Sequence, residues 1–376
     1  MVRPISESKN MKITAAVVRT AGAPFTIEAL ELESPRADEV LVRIVATGLC
    51  HTDLVVRDQL LPTPLPAVLG HEGSGVIEAV GADVHDLAPG DHVVLGFAAC
   101  RECQPCVAGE PSYCAHFAGL NFGGSRPDGS KALADVDGAV SSHFFGQSSF
   151  ASHALVAAKN VVKVATSAPL ALLGPLGCGI MTGAGTVLNT LDVGPQDVVL
   201  VSGGGPVGLS GVMAAAAAGA QTIILVDPLA SRRDFALTLG ATHVVDPTAG
   251  AVEGQVRAIV PGGATRILET SGNMTAIEQA VAVLGSRGKL AMVGVPKALD
   301  ATVTVAALPL VSLGASICGV TEGDADPRTF IPRLIALYEE GRFPFDRMIT
   351  EYPIAQINQA VEDQYAGRCV KAVLTM

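Results

Sequence analysis

Four cysteines, Cys100, Cys103, Cys106 and Cys114, fall within the stretch CRECQPCVAGEPSYC and make up half of the eight in the chain. Thiols at C-x2-C-x2-C-x7-C spacing can form disulfides, hold an iron–sulfur cluster or close a tetrahedral S4 site around zinc. Disulfides persist in oxidising compartments, and the N-terminal MVRPISESKN lacks the apolar core of a secretory signal. The C-x2-C-x2-C run also occurs in ferredoxins. Here it accompanies a dinucleotide fingerprint and a second metal-type residue set, and that company favours zinc. Four thiolates leave no open coordination position, so this site braces a loop and does no chemistry.

The second set is dispersed: Cys50 in GLCHTD, His71 and Glu72 in LGHEGSG, and Cys178 in PLGCGIMTGAG. Singly, each cysteine reads equally as a small buried apolar residue, and His71 as a satisfied core imidazole. Together they supply two sulfurs and one nitrogen, a set that leaves zinc a fourth position for water or substrate. Glu72 reads as a support for the site, as an alternative ligand or as one half of a plain salt bridge.

A third chemical signal is VVLVSGGGPVGLSG, in which Gly203, Gly205 and Gly208 follow a strand and open a helix at Pro206 and Val207. G-x-G-x-x-G in this context lets backbone N–H groups and the helix N-terminus approach a pyrophosphate. The next apolar run, TIILVD, ends in Asp227, at the distance expected of an acid that binds ribose hydroxyls. A carboxylate there repels a 2′-phosphate, which favours NAD over NADP. Arg232 and Arg233 read either as adenosine contacts or as the solvated first turn of a helix.

The elements that must position these groups have two rhythms. Up to about residue 180, short alternating runs such as EVLVRIVATGLC and GDHVVLG, punctuated by turns, indicate a β-rich, partly barrel-like unit. Beyond it, DVVLVSG, TIILVD, HVVD, TRILETS, GKLAMVG and ASICGV alternate with amphipathic helices, which predicts an α/β doubly wound parallel sheet of six strands. After about residue 322 the pattern breaks again, with RTFIPRLIALYEEGRF as a helix and KAVLTM as a closing strand. The 376 residues, 49 % hydrophobic and 16 % charged, suffice for two cores. A net charge of −11 without a basic block argues against nucleic acid or an anionic membrane as partner. No apolar run reaches membrane-spanning length, so the expectation is a cytoplasmic protein. Residues 1–10 read as a short extension before the first strand.

In family order, GHEGSGVIEAVG, the four-cysteine lobe, GCGIMTGAG and GGGPVG resemble a zinc-containing alcohol dehydrogenase of the medium-chain dehydrogenase/reductase superfamily, over essentially all of residues 11–376. HFFGQSSFASHALV and LNFGGSRPDGS look most like bacterial aryl (benzyl) alcohol dehydrogenases and related allylic or terpenoid enzymes. The resemblance implies a GroES-like catalytic domain of residues 1–180 and 323–376, with the zinc lobe at 97–116, and an NAD-binding Rossmann domain at 181–322. It implies two zinc ions per chain: one catalytic, on Cys50, His71 and Cys178, and one structural. Zinc would bind the alcohol oxygen and lower its pKa, and hydride would pass to the nicotinamide of NAD. Thr52 would accept the alcohol proton, and Asp53 would orient the site. His51 would meet the cofactor pyrophosphate, Thr182 the nicotinamide, and Lys371, or else Arg368, a cofactor phosphate.

One departure is Val55, where many members carry a histidine that passes the proton to solvent; the relay must end at Thr52 and the ribose, or use water or another base. Phe97 with Leu120 or Phe122 reads as pocket lining or as core. The implied reaction is reversible oxidation of a bulky apolar primary alcohol to the aldehyde. Glutathione-adduct formaldehyde dehydrogenases and polyol dehydrogenases are the nearer alternatives, zinc-free quinone reductases and a non-catalytic binding protein the more distant ones. The strand-like stretch ATVTVAALPLVSLGASICGV resembles the part through which members dimerise, so a homodimer or homotetramer is expected.

Overall fold

A computed structural model describes residues 10–298 and 300–376. The extension reading of residues 1–10 lies, apart from Asn10, outside the described residues. The chain forms two compact units. One runs to Cys178 and takes in Pro327–Pro332 and Met348–Met376; the other comprises Gly179–Asp326 and Arg333–Arg347.

In the first unit, the long strand Glu39–Gly48 organises everything the site needs. It is antiparallel to Gly73–Val80, to His153–Ala157 and to the C-terminal strand Lys371–Thr375. Thr47 lies opposite Gly73, and Gly48 opposite Val373. The end of one strand (Cys50), the approach to a second (His71 and Glu72) and the start of a third (Lys371) therefore meet at one edge. Inward-facing Val40, Val42, Ile44, Ile77, Val93, Leu95 and Val156 form the core beneath. A second, five-stranded sheet contains Met11–Val18, Thr26–Leu32 and the hairpin Leu133–Asp135 and Gly138–Val140.

The start of the long strand is tied electrostatically. Arg126, with a side chain 3 % exposed, donates Nε and Nη2 to the two Glu39 oxygens at 2.6 and 3.1 Å and Nη1 to Glu33 at 2.8 Å. Burial alone would raise the Glu39 pKa; His143 and Arg126 outweigh it and hold the carboxyl down at about 2.

The second unit is a six-stranded parallel sheet in the spatial order His243–Val245, Thr222–Val226, Val198–Ser202, Ala264–Glu269, Leu284–Met292, Ser316–Gly319. Its central strands are buried on both faces, which is why they read as continuous apolar runs rather than alternating ones. The helices Pro206–Ala217, Ala230–Thr238, Val252–Ile259 and Met274–Ala282 fall in the expected places between strands. The strand order reverses beside Val198–Ser202, the position at which doubly wound sheets bind ligands.

Two expectations change. The stretch ATVTVAALPLVSLGASICGV is not continuous strand: Ala307–Leu313 is a helix, and only Ser316–Gly319 joins the sheet, at its edge. Arg333–Arg347 groups with the second unit rather than with the catalytic domain. There Phe343 and Phe345 are fully buried, and Arg347 donates to the Thr238 carbonyl at 2.8 Å. Among the described residues, no single helix is long and apolar enough to cross a membrane.

Arg126→Met removes the guanidinium from the buried Glu39 carboxylate, leaving it only His143 and the Arg36 amide, and should destabilise the protein by about 3 kcal/mol in denaturant unfolding at neutral pH. Because the Glu39 pKa is depressed on folding, its stabilising contribution is complete above pH 4.5 and fades as pH falls toward about 2. The gap between wild type and Glu39→Gln should shrink over that window; a pH-independent gap would contradict the assignment.

Candidate metal centre and dinucleotide site

Ligand atoms of Cys50, His71, Glu72 and Cys178 lie within 4.8 Å of one another. Asp53 holds two of these elements together. It sits in the first turn of the short helix His51–Arg57, and its Oδ2 accepts the Cys50 amide at 2.9 Å. Its Oδ1 accepts the Gly70 amide at 3.1 Å and lies 2.8 Å from His71 Nδ1. Both side chains are fully buried. With Nδ1 engaged, His71 Nε2 turns into the cluster, where it is buried and has no hydrogen-bond partner. An orphaned imidazole nitrogen facing two thiols fits a metal ion and is costly otherwise. The Cys178 thiol pulls the Cys50 pKa well down, against burial and with help from His71, toward the thiolate that metal binding needs.

Close backbone approaches place the remaining members. A Cβ on Gly174 would meet the Glu72 carbonyl at 2.2 Å, and one on Gly177 the Leu95 carbonyl at 2.3 Å; the PLGCG turn is thereby pressed against the sheet and presents Cys178. A Cβ on Gly48 would lie 1.8 Å from Glu72 Oε2, so the Glu72 carboxylate occupies space that only glycine leaves.

Lys371, which the resemblance assigns to a cofactor phosphate, is engaged inside the first unit. It is 1 % exposed, with Nζ 2.5 Å from Glu72 Oε2 and 3.1 Å from the Leu49 carbonyl. Burial opposes its charge, but Glu72, then Cys50 and Cys178, raise its pKa overall. Glu72 is thus one half of a buried ion pair beside the candidate metal ligands. The alternative, Arg368, pairs with Asp363 at 2.6 Å on the surface.

Thr52 Oγ1 lies 3.8 Å from Cys50 Sγ, while His51 at the helix start is exposed and Val55 is 8 % exposed. Around His71 stands an aromatic wall. Phe145 stacks on the imidazole at 4.4 Å and 27°, and Phe144 meets its edge at 5.4 Å. Phe122 and Phe117 pack on Phe145, and Phe97 on Phe117. Leu120 is on the same short helix, Phe117–Phe122. Sequence reasoning missed Phe144 and Phe145; the FF of HFFGQSS was their only signal.

In the other cluster, Cys100 and Cys106 sulfurs are 3.9 Å apart, as are those of Cys103 and Cys114. A tetrahedron with zinc–sulfur bonds of about 2.3 Å has an edge of roughly 3.8 Å, so the spacing fits zinc. Amides of Glu102, Cys103, Ala115 and His116 donate to the sulfurs and offset thiolate charge. The Ala115 amide, foremost, draws Cys103 down to about 6.

In the second unit the three fingerprint glycines have separate physical roles. Gly203 has φ 99°, a conformation that favours glycine. A Cβ on Gly205 would meet nothing within 4 Å, which leaves an open face at the start of Pro206–Ala217 for a phosphate. A Cβ on Gly208 would lie 1.8 Å from the Gly203 carbonyl, so the third glycine allows helix and strand to touch. Val207 lies in the first turn of that helix. Asp227 ends the neighbouring strand and accepts the amides of Gly204 at 2.6 Å and Leu229 at 2.8 Å. Arg232 is 8 % exposed, and its Cβ lies 3.0 Å from where a Gly204 side chain would start. Arg233 pairs with Asp246 at 2.8 Å. Thr182 is buried, with Oγ1 3.4 Å from Glu322. Thr270, which sequence reasoning passed over, donates its hydroxyl to the Ser202 and Gly203 carbonyls at 2.9 and 3.2 Å.

Residues 36–166 match the alcohol dehydrogenase GroES-like domain, and residues 206–340 the zinc-binding dehydrogenase family. The chain is 48 % identical to a geraniol dehydrogenase of Castellaniella defragrans, over 96 % of each protein. The fold superposes on the crystal structure of an alcohol dehydrogenase zinc-binding domain protein from Burkholderia ambifaria with a TM-score of 0.96 and 51 % identity, covering 98 % of this chain and 100 % of that one. A benzyl alcohol dehydrogenase structure from Acinetobacter calcoaceticus gives a TM-score of 0.94 and 46 % identity, covering 97 % and 99 %. The chain belongs to the zinc-containing alcohol dehydrogenases of the medium-chain dehydrogenase/reductase superfamily, and it is an alcohol dehydrogenase.

Asp53→Asn keeps the shape but weakens the hold on His71. Affinity for the metal at the mixed site should fall 10- to 100-fold, with the four-cysteine zinc unchanged, in a chelator competition monitored by elemental analysis. Equal loss from both sites would contradict the role given to Asp53.

Proposed function

We propose that this dehydrogenase oxidises bulky, apolar primary alcohols of the aryl or allylic type to aldehydes, reversibly, with NAD as acceptor and two zinc ions per chain. The observation that carries the substrate reading is the phenyl wall of Phe97, Phe117, Phe122, Phe144 and Phe145 running up to the His71 ring. A flat π-system can pack against such rings edge to face, an interaction that a short aliphatic alcohol cannot make. The geraniol and benzyl alcohol enzymes among its relatives support the same class.

Zinc on Cys50, His71 and Cys178 supplies Lewis-acid polarisation of the alcohol oxygen, and bound NAD supplies the hydride acceptor. Thr52 takes the alcohol proton, a role supported by its hydroxyl 3.8 Å from Cys50 Sγ. Val55 gives no titrating group to continue that path, so beyond Thr52 the relay would end at the ribose of bound NAD or use water or another base. In the second unit the open Gly205 face takes the pyrophosphate, while Asp227 takes the ribose and disfavours a 2′-phosphate; His51, exposed at its helix start, is assigned to the cofactor by the family resemblance. Arg232 borders the adenosine, and Thr182 the nicotinamide. The apolar Leu308 and Val311 are 77 % and 76 % exposed, which supports a homodimer or a tetramer built from dimers. The cytoplasm is the expected compartment.

Catalytic efficiency with NAD should be at least tenfold higher for benzyl, cinnamyl and terpenoid allylic alcohols than for ethanol; preference for ethanol would refute the substrate reading. Thr52→Ala should lower turnover by about 100-fold or more, since positioned proton transfer contributes on that scale. Full turnover in that variant would remove Thr52 from the mechanism.

A further inference from the structure

The backbone between the two metal-site residues His71 and Glu72 and the following strand has an unusual support. Gln147 is 1 % exposed, and its carboxamide spans Glu72: Nε2 donates to the His71 carbonyl at 3.0 Å, and Oε1 accepts the Gly73 amide at 3.0 Å. The Glu72 carbonyl in between accepts the Gly48 amide at 3.0 Å. The side chain therefore replaces one missing rung of a β-ladder at the point where the chain leaves the strand to reach the metal. Nε2 also lies 3.4 Å from the carbonyls of Leu95 and Gly96, which carry the chain toward Phe97. A Cβ on Gly73 would be 2.8 Å from Ser149 Cβ and 3.0 Å from both Gln147 Oε1 and Leu95 Cδ1, so the clamp is among the contacts that require that glycine.

Gln147 is held as firmly as what it holds. His143, Phe145, Gly146 and Ser148 all have positive φ, at 60°, 50°, 70° and 52°, a costly run for residues other than glycine. That backbone is fixed by Ser148 Oγ, which accepts the Phe144 amide at 2.9 Å and donates to the Val68 carbonyl at 2.7 Å. The Ser149 and Phe150 amides then bond the Gly70 and Leu69 carbonyls at 2.9 and 3.0 Å. The same segment lays Phe145 on the His71 ring. One strained loop thus grips His71 twice, by its ring and by its carbonyl.

We propose that Gln147 is a positioning residue for the catalytic metal: its amide fixes the His71–Glu72 backbone and thereby the direction of His71 Nε2. Asp53 fixes the imidazole by its side chain; Gln147 fixes where that side chain starts. The inference rests on the reading of Cys50, His71 and Cys178 as a zinc site.

The test uses the zinc-loaded enzyme and two variants. Gln147→Leu removes both hydrogen bonds at similar volume, and Gln147→Glu keeps the acceptor for Gly73 but loses the amide donor to His71. Zinc release to a chromophoric chelator is followed together with the visible spectrum after cobalt(II) exchange at the mixed site. In both variants the mixed-site zinc should leave at least tenfold faster, the four-cysteine zinc should leave at the wild-type rate, and the cobalt ligand-field bands should shift. A general structural role would instead lower the thermal transition and speed both releases, and that result overturns the proposal. So do wild-type release rates and an unshifted spectrum in either folded variant. Wild-type enzyme that carries only the four-cysteine zinc would overturn the underlying metal-site reading itself.

Discussion

One buried carboxylate holds the candidate metal centre together. Asp53 accepts the Cys50 amide and the Gly70 amide and pairs with His71 Nδ1, so a single side chain joins the start of the helix His51–Arg57, capped by Cys50, to the loop that carries His71. A buried carboxylate is tolerable only when its lone pairs are filled, and here three donors fill them. The consequence is directional. With Nδ1 committed, only Nε2 can serve a metal, and it points at Cys50 and Cys178. The long strand Glu39–Gly48 supplies the frame, because two of its antiparallel neighbours, Gly73–Val80 and Lys371–Thr375, begin beside its Gly48 end.

Charge balance at that edge is as constrained as geometry. Two thiolates and Glu72 would place several negative charges in a dry pocket, and Lys371 sits among them at 1 % exposure. Removing one member of such a buried pair costs more than the pair contributes, because the other is left without compensation. Gly48 belongs to the same arrangement, since any side chain there would displace the Glu72 carboxylate. Glu72 Oε2 is thereby engaged by Lys371.

Signals carried by short covalent spacing were legible in the sequence. The four-cysteine lobe and the Gly203–Gly205–Gly208 turn close within a few residues, so spacing alone brings their atoms together. The parallel sheet was legible because strands buried on both faces leave long apolar runs. What depends on distant pairing was not. Lys371 reads as an ordinary basic residue until the strand it opens is laid against Glu39–Gly48 and its side chain meets Glu72. Gln147, Phe144 and Phe145 lie more than seventy positions from His71 and reach it through a loop whose positive-φ residues have no sequence signature. The Val- and Ala-rich run ATVTVA precedes ALPLVSL, and it is this leucine-rich second part, Ala307–Leu313, that coils as a helix and ends at Gly314 in the left-handed conformation.

The central claim is that two metal sites of opposite character coexist in one chain: a closed S4 site that only braces, and an open site of two sulfurs and one nitrogen where the alcohol reacts. Anomalous diffraction from crystals of the enzyme at the zinc absorption edge tests it most directly. The account predicts two peaks per chain, one equidistant from the sulfurs of Cys100, Cys103, Cys106 and Cys114. The other should be bound by Cys50, His71 Nε2 and Cys178, with Glu72 still paired to Lys371. A single peak at the four-cysteine lobe, or a second zinc closed off by Glu72 as a permanent fourth ligand, would contradict it.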